Sequence, residues 1–256
     1  MITSVTNKQI KNIIRLQKSS RTRREQGLFV IEGIRMFQEV PEARLDKIFV
    51  TEAFYQKNQE LWKDRIPDEI LSENVFEKIS ETKSPQGIIA TVKMEEQNLE
   101  IMIQGKDNPL FLILENLQDP GNLGTILRTG EGAGVSGIIM SQDTVDIYNP
   151  KVVRATMGAL FRMPFCYRKD IGDAVKSLKD NGVKVYAAHL DGSDFYEKDY
   201  HSACAFLIGN EGNGLTDQLA DLADEKIKIP MQGRVESLNA AIAATLMAYE
   251  AYRQRR

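Results

Sequence analysis

The second half of the chain alternates short apolar runs with helical patterns. The runs at 110–114, 137–140, 183–188, 204–208 and 226–229 have strand length and are mostly apolar. Amphipathic or alanine-rich segments fill the intervals, at about 125–133, 151–159, 171–181, 216–223 and 238–253. Such alternation predicts an α/β fold: a mostly parallel sheet with helices on both faces. The first half is built on a smaller scale. Over 7–16, Ile10, Ile13, Ile14 and Leu16 share a helical face, with Lys8, Lys11 and Arg15 largely opposite. Polar residues 19–26 read as a loop. Strands are expected at 28–31, 45–51 and 87–92, and helices at 32–40, 53–62 and 72–80. In the last of these Ser72 is placed to cap, and Val75, Phe76 and Ile79 face inward. The expected division is a small α/β/α domain over 1–93, a linker over 94–107 and a larger domain over 108–256.

Length and charge refine this picture. The 256 residues suffice for one large or two small domains, and the net charge is only −3. The charge is uneven, however. Residues 1–24 hold Lys8, Lys11, Arg15, Lys18, Arg21, Arg23 and Arg24, and no acid. Such a block suits a phosphate backbone, and it equally suits a solvated helix face followed by a basic loop. Cys166 and Cys204 are too few for a disulfide framework, and His189 and His201 stand in different contexts, so no metal site is expected. No apolar run precedes a cleavage site and none approaches a membrane span, which makes a cytoplasmic protein the expectation.

Three glycine-bearing turns carry the candidate chemistry. Residues 116–128 (NLQDPGNLGTILR) follow the run 110–114, turn at Pro120-Gly121 and enter a helix. Asn122 and Arg128 therefore extend from one end of a strand–helix unit, the end where open α/β sheets bind ligands. Taken alone, Asn122 also fits a helix cap and Arg128 a solvated position. Residues 208–215 (IGNEGNGL) follow the strand 204–208, and residues 229–240 (IPMQGRVESLNA) lead into the alanine-rich final helix. The glycines at 132, 134 and 137 spell a dinucleotide fingerprint, but they end a helix and precede a strand. That position removes the motif's mechanical meaning and leaves a helix stop with a tight connection.

These three stretches, in this order, resemble the SpoU (TrmH) family of RNA ribose 2′-O-methyltransferases. The resemblance extends from about residue 109 to the C-terminus. It implies S-adenosylmethionine as cofactor, a deep trefoil knot in the last strands and loops, and a homodimer formed through the knotted domain. Residues 27–33 (GLFVIEG) resemble, less specifically, the L30e-like substrate-binding domain often placed ahead of that catalytic domain. The implied activity is methyl transfer to a ribose 2′-hydroxyl in RNA, with ribosomal RNA favoured. Transfer RNA as substrate, or a non-catalytic RNA-binding protein of the same fold, are the alternatives.

Residue by residue, the resemblance places main-chain cofactor contacts at Gly209, Ile229 and Leu238. It places Arg128 at the reacting hydroxyl, as phosphate clamp or as base. Asn122 matches a motif asparagine that orients Arg128 or the ribose, and Glu211 offers a carboxylate to fix Arg128. Ser237 and Asn239 match the third motif, and Ser237 also suits the N-cap of the final helix. Lys18, Arg21, Arg23 and Arg24, with Arg234, are the expected RNA contacts. On the final helix, Leu238, Ile242, Thr245, Leu246 and Tyr249 form one stripe, which suits packing beyond the helix's own sheet.

Overall fold

The computed structural model describes residues 1–63, 65–235 and 237–256. It divides into two compact units, Met1–Glu95 with Tyr148–Phe161, and Glu96–Ile147 with Arg162–Arg256.

In chain order the first unit contains α1 (Lys8–Lys18), α2 (Ser20–Gln26), β1 (Leu28–Glu32), α3 (Ile34–Glu39), β2 (Leu45–Thr51), α4 (Glu52–Lys57), β3 (Glu69–Leu71), α5 (Glu73–Ile79) and β4 (Ile88–Lys93). The sheet order is β1-β4-β2-β3. Strand β4 runs antiparallel to both neighbours, and β2 pairs parallel with β3. Alternation along β2 sends Phe49 to one face and Ile48 and Val50 to the other. Phe49 meets Ile10, Ile13 and Leu16 of α1 and Val75, Phe76 and Ile79 of α5. Ile48 and Val50 meet Phe54 and Trp62. The expected α/β/α layering is present in this unit.

The second unit adds α6 (Leu99–Ile103), β5 (Leu110–Leu114), α7 (Pro120–Gly132) and β6 (Gly137–Ser141). After α8 (Pro150–Thr156), which packs with the first unit, come β7 (Phe165–Arg168), α9 (Ile171–Asp180), β8 (Lys184–Asp194), β9 (Cys204–Ile208), α10 (Asp217–Ala220), β10 (Glu225–Lys228) and α11 (Ala240–Gln254). All six strands are parallel, in the order β10-β8-β9-β5-β6-β7. Every residue of the two central strands, β5 and β9, is buried, as a sheet covered on both faces requires. From β10 at the sheet edge the chain returns inward, and α11 packs on α7, β9 and β5. That return is consistent with the knot the family resemblance implies.

Four readings of the sequence are corrected here. Residues 148–161 were expected in the second domain but pack with the first, where Tyr148 lies 4.5 Å from Phe29 and accepts the Glu95 N–H at 2.8 Å. The expected linker contains α6, whose Leu99 and Met102 are buried in the second unit's core. Gly137 leaves room for that Met102, whose methyl would sit 2.3 Å from an added Cβ. Strand β7, Phe-Cys-Tyr-Arg, was missed because it ends on the half-buried Tyr167 and Arg168 and so offers no continuous apolar run. Residues 19–26 are not a loop. Helix α2 is capped by the Ser19 hydroxyl, which accepts from the Thr22 N–H, and ends at Gly27 with φ 64°.

The cause of α2 bears on function. Arg23 is 3% exposed and donates to the carbonyls of Leu16 at 2.6 Å and Gln17 at 3.2 Å. Those carbonyls are left over at the end of α1, so Arg23 serves as its cationic cap. It is not available to RNA, contrary to the sequence reading. Arg21 is exposed and pairs with Glu25 at 2.7 Å, the first acid beyond the basic block.

Removing a buried charge-assisted donor leaves carbonyls unsatisfied. Arg23→Met should therefore cost about 2 kcal/mol, read as a lower urea midpoint, while Lys18→Gln stays within about 0.5 kcal/mol. Equal midpoints for Arg23→Met and the wild type would show that α1 does not need this cap.

Candidate active site

The site starts from one register. Parallel pairing sets Leu114 of β5 beside Ile208 of β9, so the chain leaves both strands at adjacent points. The Glu115 N–H still donates to the Ile208 carbonyl at 2.9 Å. Beyond it Asn116 adopts φ 53°, and Asp119 caps α7 by accepting from the Asn122 N–H at 2.7 Å. Pro120 takes the first helical position, as its fixed φ favours. Asn122 thus lies in the first turn of α7 and not in the preceding turn, and Asp119 is the cap.

After β9 the chain folds back on itself. Asn210 and Gly214 exchange two backbone hydrogen bonds of 3.0 and 2.9 Å. A Cβ on Gly209 would lie 2.0 Å from the Gly214 carbonyl carbon, so only glycine closes this loop. Asn210 supplies a tie the sequence reading missed. Its Nδ2 donates to the Asn116 carbonyl at 2.7 Å, and its Oδ1 accepts from the N–H groups of Gly212 and Asn213. An asparagine inside a glycine turn was the available signal.

Glu211 joins the two loops. Its carboxylate accepts from the Gln118 N–H at 3.1 Å, the Asp119 N–H at 3.1 Å and the Asn122 side-chain amide at 2.9 Å. Asn122 Oδ1 in turn accepts from Asn239 Nδ2 at 2.9 Å. Asn239 caps α11, its Oδ1 accepting from the N–H groups of Ala241 and Ile242. One polar chain, Glu211–Asn122–Asn239, therefore connects all three turns singled out in the sequence. Partial burial raises the Glu211 pKa, but the Asn122, Gln118 and Asp119 donors outweigh it and hold the carboxyl below its usual range.

Beside this chain opens a cleft of about 340 Å³. Gly209, Ile229 and Leu238 line it, together with Glu211, Ser237 and His189. The expected cofactor residues thus share one space. Other placements differ from expectation. The N-cap of the final helix is Asn239, so Ser237 and Leu238 precede the helix. Glu211 binds Asn122 and the α7 N-terminus, not Arg128. Arg128 lies six residues beyond Asn122, about 9 Å along the helix. It is exposed and has no ion pair or side-chain hydrogen bond among the described residues. Arg234 is exposed and stands outside the cleft lining.

Thiol chemistry is not offered here. Burial pushes both the Cys166 and Cys204 thiols up to about 11, and a thiol needs a lowered pKa to act as a nucleophile. Among the described residues, no three His, Cys, Asp or Glu side chains gather to hold a metal ion.

The depressed Glu211 pKa has a signed consequence. Its contribution to stability is complete above the unfolded carboxylate value of about 4.3 and is lost as pH falls through the folded value. Glu211→Gln should therefore flatten the decline in thermal midpoint between about pH 5 and 3. An unchanged acid slope in that variant would show that the three donors do not stabilise the carboxylate.

The SpoU rRNA Methylase family matches residues 109–249, and the MRM3-like substrate binding domain matches residues 7–90. The Bacillus subtilis 23S rRNA (guanosine(2553)-2'-O)-methyltransferase RlmP is 31% identical over 257 residues, covering 97% of each chain. The 23S rRNA (guanosine-2'-O-)-methyltransferase RlmB of Photobacterium profundum is 34% identical over 177 residues, 67% of this chain and 72% of that one. The crystal structure of an AdoMet-bound rRNA methyltransferase from Sinorhizobium meliloti superposes with a TM-score of 0.86 at 32% identity, covering 98% of this chain and 97% of that one. The family match spans the three turns that Glu211, Asn122 and Asn239 tie together, and with full-length relatives above 30% identity the chain belongs to the SpoU rRNA methylase family.

Proposed function

We propose that this chain transfers a methyl group from S-adenosylmethionine to a ribose 2′-hydroxyl of ribosomal RNA, in the cytoplasm and as a homodimer. The Glu211–Asn122–Asn239 chain carries the reading, because it fixes three loops around one cleft at the carboxyl ends of a parallel sheet. The cleft suits the cofactor. Ile208, Ile227, Ile229, Met231 and Leu238 give it apolar walls for a flat base, and the strand ends offer backbone groups. When bound, S-adenosylmethionine supplies a methyl group on a sulfonium. The relatives named for ribosomal RNA favour that substrate.

The chain's own residues position the nucleophile. A neutral 2′-hydroxyl is a poor one, so alignment matters most. Asn122 and Asn239 each spend one amide N–H within the polar chain and keep one for substrate. Glu211, with three donors on it, is a weak base and holds the loops. A guanidinium stays protonated in proteins and is no general base at neutral pH. Arg128 therefore grips an RNA phosphate with its planar fork, and that phosphate is the nearer proton acceptor. Exposed Lys18, Arg24 and Arg234 are further phosphate contacts.

The homodimer reading rests on α11. Ile242, Leu246, Tyr249 and Tyr252 are 48%, 36%, 43% and 43% exposed, a large apolar stripe for one free helix. Thr245, expected on that stripe, instead bonds Thr129 of α7 at 2.9 Å. Arg128 lies one residue before Thr129, so a second copy covering the stripe lies close to it.

Two variants test these assignments. Arg128→Lys keeps the charge but loses the fork. Its single-turnover methylation rate should fall roughly a hundredfold, with S-adenosylhomocysteine affinity unchanged by calorimetry. A wild-type rate would remove Arg128 from the site. Leu246→Lys should sediment as a monomer where the wild type sediments as a dimer, and a monomeric wild type would overturn the homodimer.

A further inference from the structure

Helix α1 has two contrasting faces. Ile10, Ile13 and Leu16 are buried in the first unit's core. On the opposite side Lys8, Lys11, Arg15 and Lys18 are all exposed. Their spacing of three, four and three residues keeps them on one strip, about 15 Å from end to end. No acid interrupts the strip, because α1 contains none. Among the described residues, none of the four side chains is in an ion pair or a hydrogen bond.

Helix stability accounts for only half of this strip. Arg15 and Lys18 sit in the last turn, where the helix dipole favours cations. Lys8 and Lys11 sit at the start, where it disfavours them, and Asn7 caps that same end. Neighbouring cations three and four residues apart also repel. Helix α2 adds no counter-charge to α1. Asn12 and Gln26 join the two helices by a reciprocal pair of neutral amide bonds, each 2.9 Å, and Arg23 is withdrawn into the interior.

We propose that this strip is where the first unit grips the sugar–phosphate backbone of RNA, a proposal that rests on the reading of the chain as a ribosomal RNA methyltransferase. A straight row of cations matches successive phosphates along one strand. Helix α1 carries no aromatic side chain on which a base could stack, so it reads charge and shape and not sequence. It exposes no large apolar side chain to enter a membrane either.

The test uses the full chain and deproteinised 23S rRNA, with binding measured across about 50 to 200 mM salt. The variant changes Lys8, Lys11, Arg15 and Lys18 together to Gln. A control changes the exposed Lys57, Lys63, Lys169 and Lys176 to Gln, with the same loss of charge. Each lost phosphate contact lowers the log–log salt slope by roughly 0.7–0.9, so the strip variant should lose about three from that slope and at least roughly tenfold in affinity. The control should keep the wild-type slope and affinity. Neutralising Lys8 and Lys11 alone should not lower the thermal midpoint. Equal slopes in wild type and strip variant, or an equal loss in the control, would overturn the proposal. S-adenosylhomocysteine binding, followed in the same preparations, separates this failure from failure of the methyltransferase reading, which would remove the binding from the wild type itself.

Discussion

The parallel register that puts Leu114 beside Ile208 is the constraint on which the site depends. It makes β5 and β9 end together, although 93 residues separate Gln118 from Glu211 in the chain. Only then can one carboxylate reach the N–H groups at the start of α7 and the Asn122 amide at once. Adjacent strands whose connections lead to opposite sides of the sheet leave a crevice at their carboxyl ends. Here β6 and β7 lie on one side of β5 and β8 and β10 on the far side of β9, so the crevice falls where the motifs are.

Much of this was legible because burial on both faces leaves an unmixed signal. The runs at β5 and β9 contain no charge, and their boundaries coincide with the sequence reading. The three turns were legible because glycine and proline declare backbone needs directly. What stayed hidden depends on partners remote in sequence. Arg23 looks like its basic neighbours until its guanidinium is found on carbonyls six and seven residues back. Helix α6 is five residues long in a polar setting, and Leu99 and Met102, with Ile103 packed beside them, bind it to the core. Nothing local distinguishes a helix that packs on the sheet before it from one that packs on the sheet after it, and α8 went to the first unit.

The cap of α11 shows a competition that composition cannot decide. Ser237 and Asn239 are both good N-caps. Asn239 prevails in the structure, and a serine there would lack the second polar group. Its Oδ1 takes two helix N–H groups while its Nδ2 reaches Asn122. A hydroxyl has one proton, and one short arm cannot span both tasks.

The same reasoning explains the amide at Asn122. The position must donate to a carboxylate and accept from another amide within one side chain. Aspartate there would set two carboxylates within hydrogen-bond distance, which like charge disfavours. Lysine would satisfy Glu211 but leave the Asn239 donor without an acceptor. Leucine would strand both partners, each at the cost of an unmet polar group. Glutamine has both functions but an extra methylene, which displaces the amide from α7. Asparagine meets both demands at the right length, so the residue read from sequence as a helix cap or a motif asparagine is fixed by hydrogen-bond chemistry that only the assembled strand ends create.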